Sequence, residues 1–388
     1  MWIVKLFIFL CVTKLIKASD LCELCLCEFQ EITPFIDCSS KSLTNIEWNL
    51  DLQQLKDKVV DIDFEDNSLV KIRKLPPNVP IQRLSFRQNQ ISKIEFEAFV
   101  NLPYLSYLDL SHNSIQNLTE EMFKGPLRNG NPSPLLSLDL SFNQIDKLPK
   151  TAFFYLVHLE EINLSGNPLK IMDHYTSMAI GSLNTLVTLN LSHTQIDNLP
   201  RNFLKGLHTV EKLDLSQNNF EFVPSEIQYH GTDITELILD ANPIQKLKSH
   251  TFSSMRKLIK LSLCQMPFLH EIKESAFTGL FNLKTLRIAS NPSLSYIDPD
   301  AFMDFQHPMV LQDVDLSDNY LRYMPKELTI YHQNSSLKSF RIDGNVWECD
   351  CHNQWLIDLM NTLEFRGFGI DAECSKPSDF KGTKIEIN

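Results

Sequence analysis

The chain has 388 residues, 43% of them hydrophobic and 22% charged, which is ordinary for a globular protein and enough for a large core. Its 48 acidic and 36 basic residues leave a formal charge of −12. That balance argues against nucleic acid and anionic membranes as partners and otherwise serves solubility.

The first 18 residues read as a secretion signal. Lys5 supplies the early charge, residues 6–12 form an apolar run, and Ile16 and Ala18 stand at the cleavage positions. Lys14 and Lys17 are unusual there, and the rival reading is an uncleaved anchor. The uninterrupted run is far shorter than the roughly 20 residues a membrane span requires, and no other stretch reaches that length, so no membrane insertion is expected within the chain. Cleavage after Ala18 removes three lysines and no acid, taking the charge from −12 to −15. Next come Cys22, Cys25, Cys27 and Cys38. C-x-x-C-x-C can ligate zinc in a reducing compartment, but behind a secretion signal it reads as disulfides, for which spacing alone allows three pairings.

From residue 57 to 346 one frame recurs, clearest at 105–118 as LSYLDLSHNSIQNL. With its asparagine as reference it occurs at Asn67, Asn89, Asn113, Asn143, Asn167, Thr194, Asn218, Asn242, Met266, Asn291, Asn319 and Asn345, spaced by 22 to 30 residues and most often by 24. A period of this size with this spelling marks a leucine-rich-repeat solenoid. In L-x-x-L-x-L the last two leucines, such as Leu108 and Leu110, alternate inward along a short strand while Tyr107 and Asp109 face out. Each unit buries its leucines only by stacking on the next, which makes a parallel sheet. Stacked asparagine amides, each with two donors and an acceptor, satisfy the turns that leave the strands. Phenylalanines at Phe99, Phe123, Phe153, Phe203, Phe252, Phe277 and Phe302 form a second apolar spine on the convex side. Residues 125–134, GPLRNGNPSP, predict a surface loop. Met266 cannot donate, so local looseness or a slight change of curvature is expected there. The lone Cys264 reads as a small buried or half-buried thiol.

The C-terminal stretch, 347–388, holds Trp347, Cys349, Cys351, His352, Cys374, Pro377 and Gly382. C-x-C-H invites a metal reading with Cys349, Cys351 and His352. A solenoid end needs covering, however, and secreted caps use disulfides.

Together these features resemble the extracellular leucine-rich-repeat proteins with N- and C-terminal cysteine caps. That family includes Toll-like receptor ectodomains, Slit-like guidance proteins, chaoptin-type adhesion proteins and the acid-labile subunit. The resemblance implies an α/β solenoid: a curved horseshoe of about 12 repeats with a parallel β-sheet on its concave face. The chain then divides into a signal at 1–18, an N-terminal cap at 19–56, repeats at 57–346 and a C-terminal cap at 347–388. The family pairing implies Cys22–Cys27, Cys25–Cys38 and Cys349–Cys374. It leaves Cys351 without its usual partner, as expected of a sequence cut short; a free thiol or a linked dimer are the other readings.

Concave faces of solenoids are the usual binding surfaces. Arg83, Arg87, Tyr107, His112 and Phe142 are the expected partner contacts, since exposed aromatics beside a guanidinium anchor interfaces. The repeated aspartates, Asp109 and Asp139 among them, are read as a solvated face, with Asp109→Ala near neutral. Sequons at Asn117, Asn163, Asn190 and Asn334 are candidate glycosylation sites, and sugars on Asn163 and Asn190 would confine a flat partner to the N-terminal third. No hydrolase elbow, P-loop, zinc-protease helix or calcium loop is spelled. His112 and His193 have neither acid nor nucleophile beside them, so no enzyme and no cofactor are expected. The reading is an extracellular protein-binding module for adhesion, guidance or receptor assembly. Its alternatives are a Toll-like innate-immune ectodomain and a non-binding scaffold.

Overall fold

The computed structural model describes residues 21–29, 33–46, 48, 58–77, 79–125, 132–302, 310–325, 328, 337–360 and 372–385. The signal at 1–18, the Asn334 sequon and most of the predicted loop at 125–134 lie outside these residues. Each of the twelve frames becomes one strand, from Val60–Asp63 to Ser339–Arg341. All twelve pair in parallel with their neighbours. The N-terminal cap adds Phe35–Asp37 in parallel and Leu26–Glu28 antiparallel, giving a 14-stranded sheet among the described residues.

The side-chain period of two decides what this sheet buries. The next-to-last residue of every strand points inward: Ile62, Leu84, Leu108, Leu138 and their counterparts up to Phe340 are each exposed by 2% or less. They align across the register, so each leucine lies against its equivalent one repeat away.

Beyond each strand the chain turns on the asparagine. Asn143 Nδ2 donates to the carbonyls of Leu110 (2.9 Å), Leu140 (3.1 Å) and Ser141 (3.2 Å), while its Oδ1 accepts the Ile115 N–H at 2.9 Å. Asn113 and Asn167 repeat the pattern on either side. One side chain thus joins two turns whose backbone would otherwise be buried unsatisfied. The residue just before the reference position has positive φ in all twelve repeats, between 51° and 69°. Its N–H reaches the following turn, as from His112 to Ser141 O and from Phe142 to Ser165 O.

The two departures from asparagine differ in consequence. Thr194 Oγ1 donates to Leu191 O at 2.8 Å and contacts Asn218 Oδ1 at 3.0 Å, so the hydroxyl replaces part of the amide. At Met266, where local looseness or a slight change of curvature is expected, strand register runs unbroken on both sides. The thioether is fully buried, and Asn291 shifts its Oδ1 onto the Met266 N–H at 2.8 Å. A second parallel ribbon, Lys246–Leu247, Glu271–Ile272 and Tyr296–Ile297, pairs the opposite flank of the same repeats.

The phenylalanine spine lies buried as the spacing predicts, with Phe252, Phe277 and Phe302 stacked at 6.1 and 4.7 Å between centroids. Cys22 is bonded to Cys27, Cys25 to Cys38 and Cys349 to Cys374. The C-terminal cap seats Trp347 fully buried on the last repeat, its Nε1–H on Ile342 O at 3.0 Å. Cys351 is exposed and unbonded, and Cys264 is half-buried and unbonded. Burial pushes the Cys264 thiol up. Among the described residues no three His, Cys, Asp or Glu side chains are placed to hold a metal ion, and no helix is long and apolar enough to cross a membrane.

Leu108→Ala should cost about 2–5 kcal/mol from lost burial and a residual cavity. Asn143→Ala should cost roughly 1–3 kcal/mol for the polar groups it strands. Urea unfolding followed by circular dichroism checks both, and an Asn143→Ala midpoint equal to wild type would remove the amide ladder as a source of stability.

Candidate partner-binding face

Two outward rows cross the concave sheet. One passes through Asp61, Arg83, Tyr107, Ser137 and Glu161, the other through Asp63, Ser85, Asp109, Asp139, Asn163, Asn190 and Asp214. The second row is not simply solvated. Asp109 Oδ1 accepts the Ser111 N–H at 2.8 Å, and Asp139, Asn163, Asn190 and Asp214 accept from the amide two residues on at 2.8–3.1 Å. A short acidic or amide side chain here bends the backbone out of the strand, as in an Asx turn. Asp109 is also 93% buried beneath its neighbours rather than facing out freely, which corrects the solvated-face reading.

The first row is freer. Arg83 lies over the Tyr107 ring, its Cζ 3.9 Å from the centroid. Its strand neighbour on the other side is Asp61, whose Oδ1 is buried without a hydrogen-bond partner. Burial pushes the Asp61 carboxyl up, opposed by the Arg83 charge and backbone amide. Burial likewise raises the Tyr107 hydroxyl, with Asp109 and Asp139 adding to the effect. A guanidinium on an aromatic face is a flat, stiff plate with its remaining donors turned outward.

The other three expected contacts lie on the lip where the chain leaves the strands. Arg87 pairs with Glu65 at 3.3 Å. His112 stacks on Phe142 with centroids 4.5 Å apart and planes 11° from parallel. Phe142 also meets His193 at 6.4 Å, although a whole repeat lies between them. Gly166 makes that contact possible: a Cβ there would come within 2.6 Å of the Phe142 ring, and its φ of +69° suits glycine. His193 in turn has Nδ1 3.0 Å from Gln217 Oε1. The residues expected from sequence therefore form two groups, Arg83 with Tyr107 on the sheet and His112 with Phe142 on the lip, with Arg87 paired separately. His193 belongs to the second group and was missed. Its signal was the slot it shares with His112, followed by the small residue that lets a ring cross the gap.

Asn163 and Asn190 are aligned on adjacent strands, and Asn163 Nδ2 donates to Asp139 Oδ2 at 3.0 Å. Asn117 is exposed on the flank.

Family models described as "Leucine rich repeat" match residues 80–128 and 133–187, and one described as "BspA type Leucine rich repeat region (6 copies)" matches 221–350. Among curated proteins the chain is similar to Tsukushi of Gallus gallus, at 29% identity over 263 residues, covering 62% of this chain and 68% of that one. It also matches the transforming growth factor beta activator LRRC33 of Danio rerio at 28% identity over 305 residues, covering 74% of this chain but only 39% of that protein. Among solved structures it resembles a chain of the octameric complex of Latrophilin 3, Unc5D and FLRT2, with a TM-score of 0.64, 20% identity, and coverage of 94% and 97% of the two chains.

Gly166→Ala should destabilise by roughly 1–3 kcal/mol, through positive φ and collision with Phe142. Asp109→Ala should cost about 1 kcal/mol, not zero, because the Ser111 amide loses its acceptor. Chemical denaturation reads both, and wild-type stability for Asp109→Ala would show that its turn bond contributes nothing net.

Proposed function

The chain belongs to the extracellular leucine-rich-repeat proteins with cysteine caps, and from that premise we propose that it recognises a protein partner through the N-terminal third of its concave face. The observation that carries this reading is the Arg83–Tyr107 plate, a cation held over an aromatic ring at 3.9 Å on an open sheet. The neighbouring lip adds a second aromatic surface in His112 and Phe142, and Phe142 is 47% exposed. Interface anchors are of these types, large, stiff and amphipathic. Because the sheet, the ladder and the stacked rings are already in place, little side-chain entropy is lost on docking.

Sugars on Asn163 or Asn190 would stand at the middle of the same face, since both point outward on adjacent strands. They would leave the first four repeats open to a flat partner. The relatives support a recognition role of this kind. One is named as an activator of transforming growth factor beta, and a chain of similar fold is part of the octameric complex of Latrophilin 3, Unc5D and FLRT2. Adhesion, guidance or receptor assembly is the proposed setting.

A cell-surface binding screen with the purified, glycosylated chain tests the reading. Arg83→Ala and Tyr107→Ala should each weaken partner binding by about tenfold or more while leaving secretion and folding intact. Unchanged binding by both variants would remove the site. Mass spectrometry of the glycopeptides tests the restriction to the N-terminal third, which loses its basis if Asn163 and Asn190 are bare.

A further inference from the structure

The other half of the concave face carries a different feature. Between the strands Glu236–Ile238 and Ser339–Arg341 the sheet lines an open hollow of about 590 Å³. Its size is that of a site for a few side chains. Four carboxylates and three cations line it. The carboxylates are already engaged. Asp240 accepts the Cys264 N–H at 2.7 Å on one oxygen and the Ser262 hydroxyl at 2.9 Å on the other. Asp315 accepts the Ser317 N–H at 3.0 Å and faces Arg341 Nη1 at 3.4 Å. Glu236 meets Lys260 at 3.6 Å, and Asp313 meets the Thr285 hydroxyl at 3.5 Å.

That leaves Arg287. It stands in register between Ser262, too short to pair with it, and Asp315, which Arg341 already holds. Its side chain is exposed and has no hydrogen bond or ion pair among the described residues, and its charge acts only at longer range on Asp240. The two other arginines on the inner-face strands are both occupied, Arg83 by Tyr107 and Arg341 by Asp315 and Asp343. A guanidinium presents five N–H groups in a rigid fork that matches a carboxylate.

We propose that this hollow is a second partner site, which takes one Asp or Glu side chain of a protein segment onto Arg287. The surrounding charge selects the class of partner. Four acids against three bases leave the wall net negative, which repels a sulfated polysaccharide or a nucleic acid strand. A single carboxylate beside a basic residue fits, because the basic residue meets Asp313 or Glu236, whose contacts are the longest in the hollow. The aligned sequons at Asn163 and Asn190 lie between this hollow and the Arg83–Tyr107 plate. The site stands independently of the N-terminal one.

The test is a phage-displayed random peptide library panned on the full glycosylated chain and counter-selected on Arg287→Glu. Arg287 makes no side-chain hydrogen bond or ion pair among the described residues, so the variant should fold, which secretion yield and circular dichroism check. Enriched peptides should carry Asp or Glu beside Lys or Arg. Their affinity should fall about tenfold or more for Arg287→Glu, fall further with added salt, and stay unchanged for Arg83→Ala. Three outcomes would overturn the proposal: no enrichment that depends on Arg287, Arg287-dependent binding of a heparin oligosaccharide in place of peptides, or peptides lost on Arg83→Ala instead.

Discussion

The asparagine ladder is the interaction on which the rest of the fold depends. A short strand of three to five residues cannot hold its own turn, and each turn here is buried against the next. An amide is the smallest side chain that can donate twice and accept once, so one residue per repeat satisfies two adjacent turns. Its geometry also sets the spacing between coils, because Asn143 must reach Leu110 O and Ile115 N–H together. Where the amide is missing, as at Met266, neighbouring groups shift to cover the gap rather than open it.

Once the turns are closed, the inner sheet is a rigid surface whose two outward rows have different duties. Aspartates and asparagines at the ends of the strands hold the next bend, so their charge is partly committed to the backbone. Residues earlier in the strand carry no such duty, and Arg83 and Tyr107 occur there. The left-handed residue before each asparagine projects from the lip. That position carries His112, Phe142 and His193, and a glycine between the last two lets their rings meet.

The ends of the solenoid follow from the same constraint. A stack of identical coils exposes apolar side chains at each end, so each end needs a different structure. At the front, two crossed disulfides and an antiparallel strand cover the first repeat. At the back, a buried tryptophan and the Cys349–Cys374 bond do so. Between them, aromatic stacking along the convex spine keeps the coils in step.

The sequence alone determined the period, the phase of every strand, the buried leucine row and the phenylalanine spine. These follow from spacing along the chain, and the spacing of apolar residues directly reports which face is buried. The cap pairings followed from family resemblance rather than from spacing. Only the tertiary structure decided how outward residues pair, because lateral neighbours stand 22 to 30 residues apart in sequence and choose among several partners. Asp109 thus proved to be a turn acceptor and not a free charge. His193 joined Phe142 across a whole repeat, and Arg287 was left as the inner-face arginine without a hydrogen bond or ion pair among the described residues. Burial is written locally in a repeat protein, whereas competition for polar partners is settled only when the coils are stacked.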